Sequence, residues 1–124
     1  MLSDRHVMAT IPAADLDRAQ AWYSDKLGLV PAVSDEVGLI YRMPGGSEFL
    51  IYETPNAGQA PNTLMAFDST NVVADVAELK QRGVVFEDYD LPGLKTENSI
   101  ATIGDRKAAW FRDSEGNILA LGEA

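Results

Sequence analysis

The sequence has no cysteine in 124 residues and only one histidine, His6. The first absence removes disulfides, thiol nucleophiles, iron–sulfur ligation and Cys-bound zinc. The second denies the chain any metal site built on two imidazoles of its own. Positive charge is also scarce: ten Lys and Arg stand against nineteen Asp and Glu, a formal charge of −9 at pH 7. Each phosphate contact calls for a cation, so this balance argues against nucleic acid and anionic membrane as partners. No apolar run approaches the roughly 20 residues of a membrane-spanning helix. Met1 to His6 does not read as a secretory leader, and a cytoplasmic protein is expected. Also missing are the G-x-S-x-G elbow, the G-x-G-x-x-G turn and the phosphate loop G-x-x-x-x-G-K. A serine–histidine–acid triad would have to use His6, and no neighbouring motif supports one.

What is present is an ordinary globular composition, 46% hydrophobic and 23% charged. At this length it predicts a single domain over 1–124 with a real core. The acidity serves solubility on the plain reading. On the sharper one, the negative field draws a cationic small molecule towards a cavity.

Periodicity divides the chain into two similar stretches. Val7 to Ile11 alternates as a strand, and Asp15 caps a helix carrying Leu16, Ala19, Tyr23 and Leu27 that stops at Gly28. Strands are predicted over Leu29–Val33, Leu39–Met43 and Phe49–Tyr52, and Pro55 to Pro61 reads as a linker. The pattern then restarts. Thr63–Phe67 is a strand, Thr70 or Asn71 a cap, and Val72, Val76 and Leu79 a helical stripe ending at Gly83. Strands follow at Val84–Phe86, Ala108–Arg112 and Ile118–Leu121. This is a β-α-β-β-β unit used twice, about 5–55 and 62–123. Ile11 and Phe67 are 56 apart and Gly28 and Gly83 are 55 apart, whereas Leu50 and Leu119 are 69 apart, so 13 or 14 residues entered the second copy. They fall within Asp90 to Gly104, which is expected to be a loop serving as a lid, since Leu91, Pro92 and Leu94 would prefer to cover something.

The stretch Ile11-Pro12-Ala13-Ala14-Asp15-Leu16-Asp17-Arg18-Ala19, with Trp22-Tyr23 and Leu27-Gly28-Leu29, resembles the opening of vicinal oxygen chelate proteins. These form the glyoxalase, bleomycin-resistance and extradiol-dioxygenase superfamily. Trp110 to Leu119, through Asp113-Ser114-Glu115-Gly116-Asn117, resembles that family's final hairpin. The resemblance covers nearly the whole chain. It implies an α+β fold: two tandem β-α-β-β-β modules form a cupped mixed sheet with helices on the convex face. Metal-dependent members place His, Gln or Glu ligands on the first and fourth strands of each module.

Mapped by the repeat, those ligand positions fall on Met8, Ile51, Leu64 and Ala120, of which only Met8 has a donor atom, a soft thioether. No metal and no other cofactor is therefore expected. A shift of two residues keeps the strand face and offers His6 and Glu53, which the plain reading makes strand-end surface residues. The implied role is binding a small organic ligand, as bleomycin-resistance proteins sequester an antibiotic between the subunits of a homodimer. The predicted lining is Met8, Thr10, Phe49, Ile51, Glu53, Leu64 and Ala120, with Tyr41 and Trp110 flanking the cup as repeat equivalents. The competing readings are a metal-dependent lyase, isomerase or dioxygenase, and a metal-free enzyme using His6 or Glu53 for proton transfer.

Overall fold

The two helices begin in the same way. In the computed structural model, which describes residues 1–124, Asp15 accepts the Arg18 amide at 3.0 Å and Asn71 accepts the Ala74 amide at 3.1 Å. Each side chain satisfies a helix-start donor that would otherwise be orphaned. They open α1 (Leu16–Leu27) and α2 (Val72–Gln81). Gly28, left-handed at φ 70°, ends α1 as expected.

In the first half, β1 (Ala9–Ala13), β2 (Val33–Ser34), β3 (Leu39–Arg42) and β4 (Glu48–Glu53) form a four-stranded sheet in the order β1-β4-β3-β2. β1 runs parallel to β4, and the other pairs are antiparallel. In the second half, β5 (Thr63–Ser69) lies parallel to β11 (Ile118–Glu123), which pairs with β10 (Arg106–Arg112). The short β6 (Phe86–Glu87) lies against β10, completing a second β-α-β-β-β unit. The chain is α+β, with a four-stranded and a seven-stranded sheet.

The extra strands come from Asp90 to Gly104, and they correct the expectation of a loop there. This segment is β7 (Asp90–Leu91), β8 (Leu94–Glu97) and β9 (Ile100–Ile103), a meander that extends the second sheet beyond β10. Asn98 and Ser99, at φ 52° and 71°, form a two-residue hairpin loop of the kind that needs positive φ at both positions. Strands of two to four residues are too short to show a period, so the segment reads as a loop until its pairing is known.

The repeat register also changes by one. The turns between β3 and β4 and between β10 and β11 make the same hydrogen bonds. The Met43 amide donates to the Ser47 carbonyl at 2.8 Å, and the Asp113 amide to the Asn117 carbonyl at 3.0 Å. Gly46 and Gly116 each donate back to the first residue of their turn at 3.2 Å. The strand offset is therefore 70, as between Gly46 and Gly116, and Tyr41 corresponds to Phe111 rather than Trp110.

One hydrophobic core joins the halves. It contains Ile11, Tyr23, Tyr41, Phe49 and Ile51 from the first, and Val72, Val76, Phe111, Leu119 and Leu121 from the second. Burying each large side chain contributes about 1.5–3 kcal/mol. Trp22 of α1 stacks on Phe111 at 6.4 Å. The helix ends exchange caps across the repeat: Lys26 Nζ donates to the Arg82 carbonyl at 2.6 Å, and Arg82 donates to the Lys26 carbonyl at 3.4 Å. Lys26 and Arg82 are repeat equivalents, and cations belong at helix C-termini.

The β10–β11 turn docks on the first half through buried polar groups. Asp113 accepts the Tyr23 hydroxyl at 2.7 Å, the Glu115 and Asn117 amides at 2.9 Å and the Asn117 side chain at 3.0 Å. Glu115 accepts the Ala14 and Asp15 amides and Arg18 at 2.9 to 3.0 Å. Asn117 donates to the Pro12 carbonyl at 2.8 Å.

Candidate functional site: the open sheet faces

Strand alternation gives each sheet one face towards the helices and one away from them. Tyr41, Phe49 and Ile51 take the helix side, at 1%, 2% and 0% exposure. The Tyr23 ring lies 5.8 Å from Tyr41 and 6.2 Å from Phe49, and Tyr41 and Phe49 stack at 4.6 Å. These three expected lining residues are core instead, because a one-residue slip exchanges the faces of a strand. Glu53 ends β4 on the same parity and is exposed. Leu64 sits where β5 slips against β11, and it packs against the core. Met8 lies just before β1 and is half-buried.

The opposite faces hold residues that the apolar periodicity does not single out. In the first half these are Thr10, Ile40, Leu50 and Tyr52, of which the last three are half-buried. In the second half they are Ala66, Ala108, Trp110 and Ala120, and Trp110 meets Tyr89 edge-on at 5.4 Å. Thr10, Trp110 and Ala120 are thus the expected lining residues found on the open faces. The signal for Leu50 and Tyr52 lay in the sequence. Arg42 and Gly46 stand at the same spacing as Arg112 and Gly116, and aligning the turns rather than the apolar runs yields the observed register.

His6 and Glu53 do not come together. His6 is exposed, with Nε2 3.7 Å from Glu48 at the start of β4. Glu53 closes the same strand, about 16 Å further on at 3.3 Å per residue. The groups with displaced ionisation belong mostly to the packing between the halves. Burial raises the Tyr23 hydroxyl, and the Asp113 charge adds to the effect. Burial raises Tyr41 to about 12. At Glu115 burial pushes upward, but hydrogen bonds from Arg18, Ser114 and the Asp15 amide outweigh it and hold the carboxyl at about 2. On the open face, Tyr89 is raised by burial and by Glu87, against Arg112.

No group of three or more His, Asp or Glu side chains converges to hold a metal ion. No helix is long and apolar enough to cross a membrane.

Paired β-α-β-β-β units with helices on one side and open sheet faces on the other define the fold class. The model of the Glyoxalase/Bleomycin resistance protein/Dioxygenase superfamily matches residues 5–121, and the chain belongs to that superfamily. No curated protein is a significant match. Among solved structures, UcmS2 is similar at 21% identity and a TM-score of 0.74, covering 97% of this chain and 99% of that one. TnmS3, an antibiotic binding protein from Streptomyces sp. CB03234, is similar at 19% identity and a TM-score of 0.68, covering 99% and 98%. A bleomycin-binding protein complexed with bleomycin is similar at 16% identity and a TM-score of 0.71, covering 97% and 98%. At these identities the likeness establishes the fold.

The corrected register moves one of the ligand positions implied by the family from Ile51 to Leu50. Met8, Leu50, Leu64 and Ala120 together offer one thioether and no hard donor, so these residues do not fit the metal of the metal-dependent members.

Proposed function

We propose that this protein is a cytoplasmic, metal-independent binder of a small organic molecule, held against the open sheet faces of a two-fold symmetric homodimer. The observation that carries the reading is the chemistry of those faces. Ile40, Leu50, Tyr52 and Trp110 present apolar and aromatic surface that is only half-buried, with Thr10 as a polar group among them. Such a lining suits an organic ring system. The antibiotic-binding neighbours are consistent with it. A second copy would cover each open face and enclose the ligand, as the isologous contact of a dimer allows.

The test uses Trp22→Phe, which leaves Trp110 as the reporter. Titration with bleomycin and a panel of polycyclic aromatic antibiotics should give saturable fluorescence quenching by at least one compound. Leu50→Glu should abolish it while the circular dichroism spectrum stays unchanged. Sedimentation should show a dimer at micromolar concentration. Elemental analysis after metal add-back should find no stoichiometric divalent ion. One tightly held Zn, Fe, Ni or Mn per chain would overturn the reading in favour of a metal-dependent enzyme.

A further inference from the structure

The repeat places two equivalent junctions between the halves, and only one is filled. At the first, α1 meets the β10–β11 turn. Tyr23 and Trp22 occupy the space, and the Tyr23 hydroxyl donates to Asp113 at 2.7 Å. At the second, α2 meets the β3–β4 turn. The equivalents of Tyr23, Trp22 and Asp113 are Leu79, Glu78 and Met43. Leu79 is smaller than a tyrosine, and Glu78 pairs with Arg82 at 2.9 Å. A cavity of about 280 Å³ remains, open to solvent and lined by Leu27, Met43, Phe67, Asp75 and Leu79.

We propose that this cavity is a second binding site, separate from the open sheet faces, for a small aromatic amine. The ring would take the place that Tyr23 fills at the first junction, against Leu79, Met43 and Phe67. The ammonium group would meet Asp75, which lines the cavity from α2. Asp75 has no basic partner and accepts only the Ser69 hydroxyl at 2.5 Å. The cations at the same cavity are already engaged. Lys26 donates to the Arg82 carbonyl and pairs with Asp25, while Arg82 pairs with Glu78. With both cations paired, Asp75 is left as the uncompensated charge on the helix side of the lining, in keeping with the −9 of the chain. The volume is near the lower end of small-molecule sites, which suits one ring and a short amine arm.

Methyl NMR on the full chain tests this with tyramine as probe and p-cresol as its uncharged counterpart. Tyramine should shift the Met43 and Leu79 methyl signals saturably and bind at least fivefold tighter than p-cresol. Leu79→Tyr, which rebuilds the first junction's filler, should abolish both shifts and leave the Trp110 indole signal in place. Asp75→Asn, which keeps an acceptor for the Ser69 hydroxyl, should weaken tyramine at least threefold and leave p-cresol unchanged. If Leu79→Tyr does not fold, the Asp75→Asn ratio decides. Three outcomes would each overturn the proposal: no saturable shift up to about 10 mM, far weaker than a useful site; shifts confined to Trp110 and Tyr52; or an unchanged tyramine-to-cresol ratio in Asp75→Asn.

Discussion

The turns Met43–Ser47 and Asp113–Asn117 close with the same hydrogen bonds and differ in nearly everything else. Their closing hydrogen bonds agree within 0.2 Å, and Gly46 and Gly116 sit at φ 92° and 84°. One carries Pro44, Gly45 and Gly46, all exposed, and offers the opposite half only the Met43 side chain. The other buries Asp113, Glu115 and Asn117 at 7%, 8% and 2% exposure and ties them to α1 and the end of β1. Local chemistry sets the shape of a turn. Its side chains decide whether it also locks two halves together, because a buried polar group must find partners or cost several kcal/mol.

The contrast breaks most severely at Asp113. Asp113→Ala strands four buried donors and should destabilise by about 4 kcal/mol, whereas Met43→Ala, at the cavity wall, should cost about 1–2 kcal/mol. Urea denaturation compares them, and equal losses would mean that the polar network does not lock the halves. Next comes pH. Glu115 sits at about 2, below its ordinary 4.5. A depressed carboxyl stabilises the fold above its unfolded value, and that contribution fades as pH falls from about 4.5 towards 2. Its part is about 2–3 kcal/mol. Glu115→Gln should therefore start less stable at pH 7 and lose less than the wild type over that window, as followed by urea midpoints at each pH.

A finer comparison uses the two glycines. Both Gly46→Ala and Gly116→Ala meet the positive-φ penalty of about 1 kcal/mol. At Gly116 the added Cβ also comes within 3.3 Å of the Gly58 Cα, while at Gly46 it meets nothing. Thermal melts should place Gly116→Ala below Gly46→Ala, at about 2 kcal/mol against 1. The smallest effect belongs to Tyr41, the counterpart of Phe111. Its hydroxyl is buried without a hydrogen-bond partner, so Tyr41→Phe should be neutral or stabilise by up to about 1 kcal/mol.

Much of this was legible in the chain. Asp15 and Gly28 mark the ends of α1 where the structure has them, and the alternation of Leu39 and Tyr41 is real. The face of β4 is hidden in the sequence for a physical reason. Its repeat counterpart β11 has Ile118 to Leu121 all buried, so that strand has no alternation to reveal which side is which. Aligning the apolar runs therefore puts Phe49 and Ile51 on the wrong face and matches Tyr41 to Trp110 instead of Phe111.

The sequence by itself determined the two-unit plan, the helix caps, the turns and the lack of hard metal donors at Met8, Leu64 and Ala120. Each is settled by side-chain chemistry within a few residues. Only the tertiary structure decided which strand faces lie open, that Asp90 to Gly104 extends a sheet, and that one junction is packed while its twin holds a cavity. The open faces and the two junctions depend on contacts between residues far apart in the chain, such as Tyr23 with Asp113 and Lys26 with Arg82, while the strands of Asp90 to Gly104 pair locally but are too short to show a period. Local propensity carries no information about which distant side chain will fill a given space.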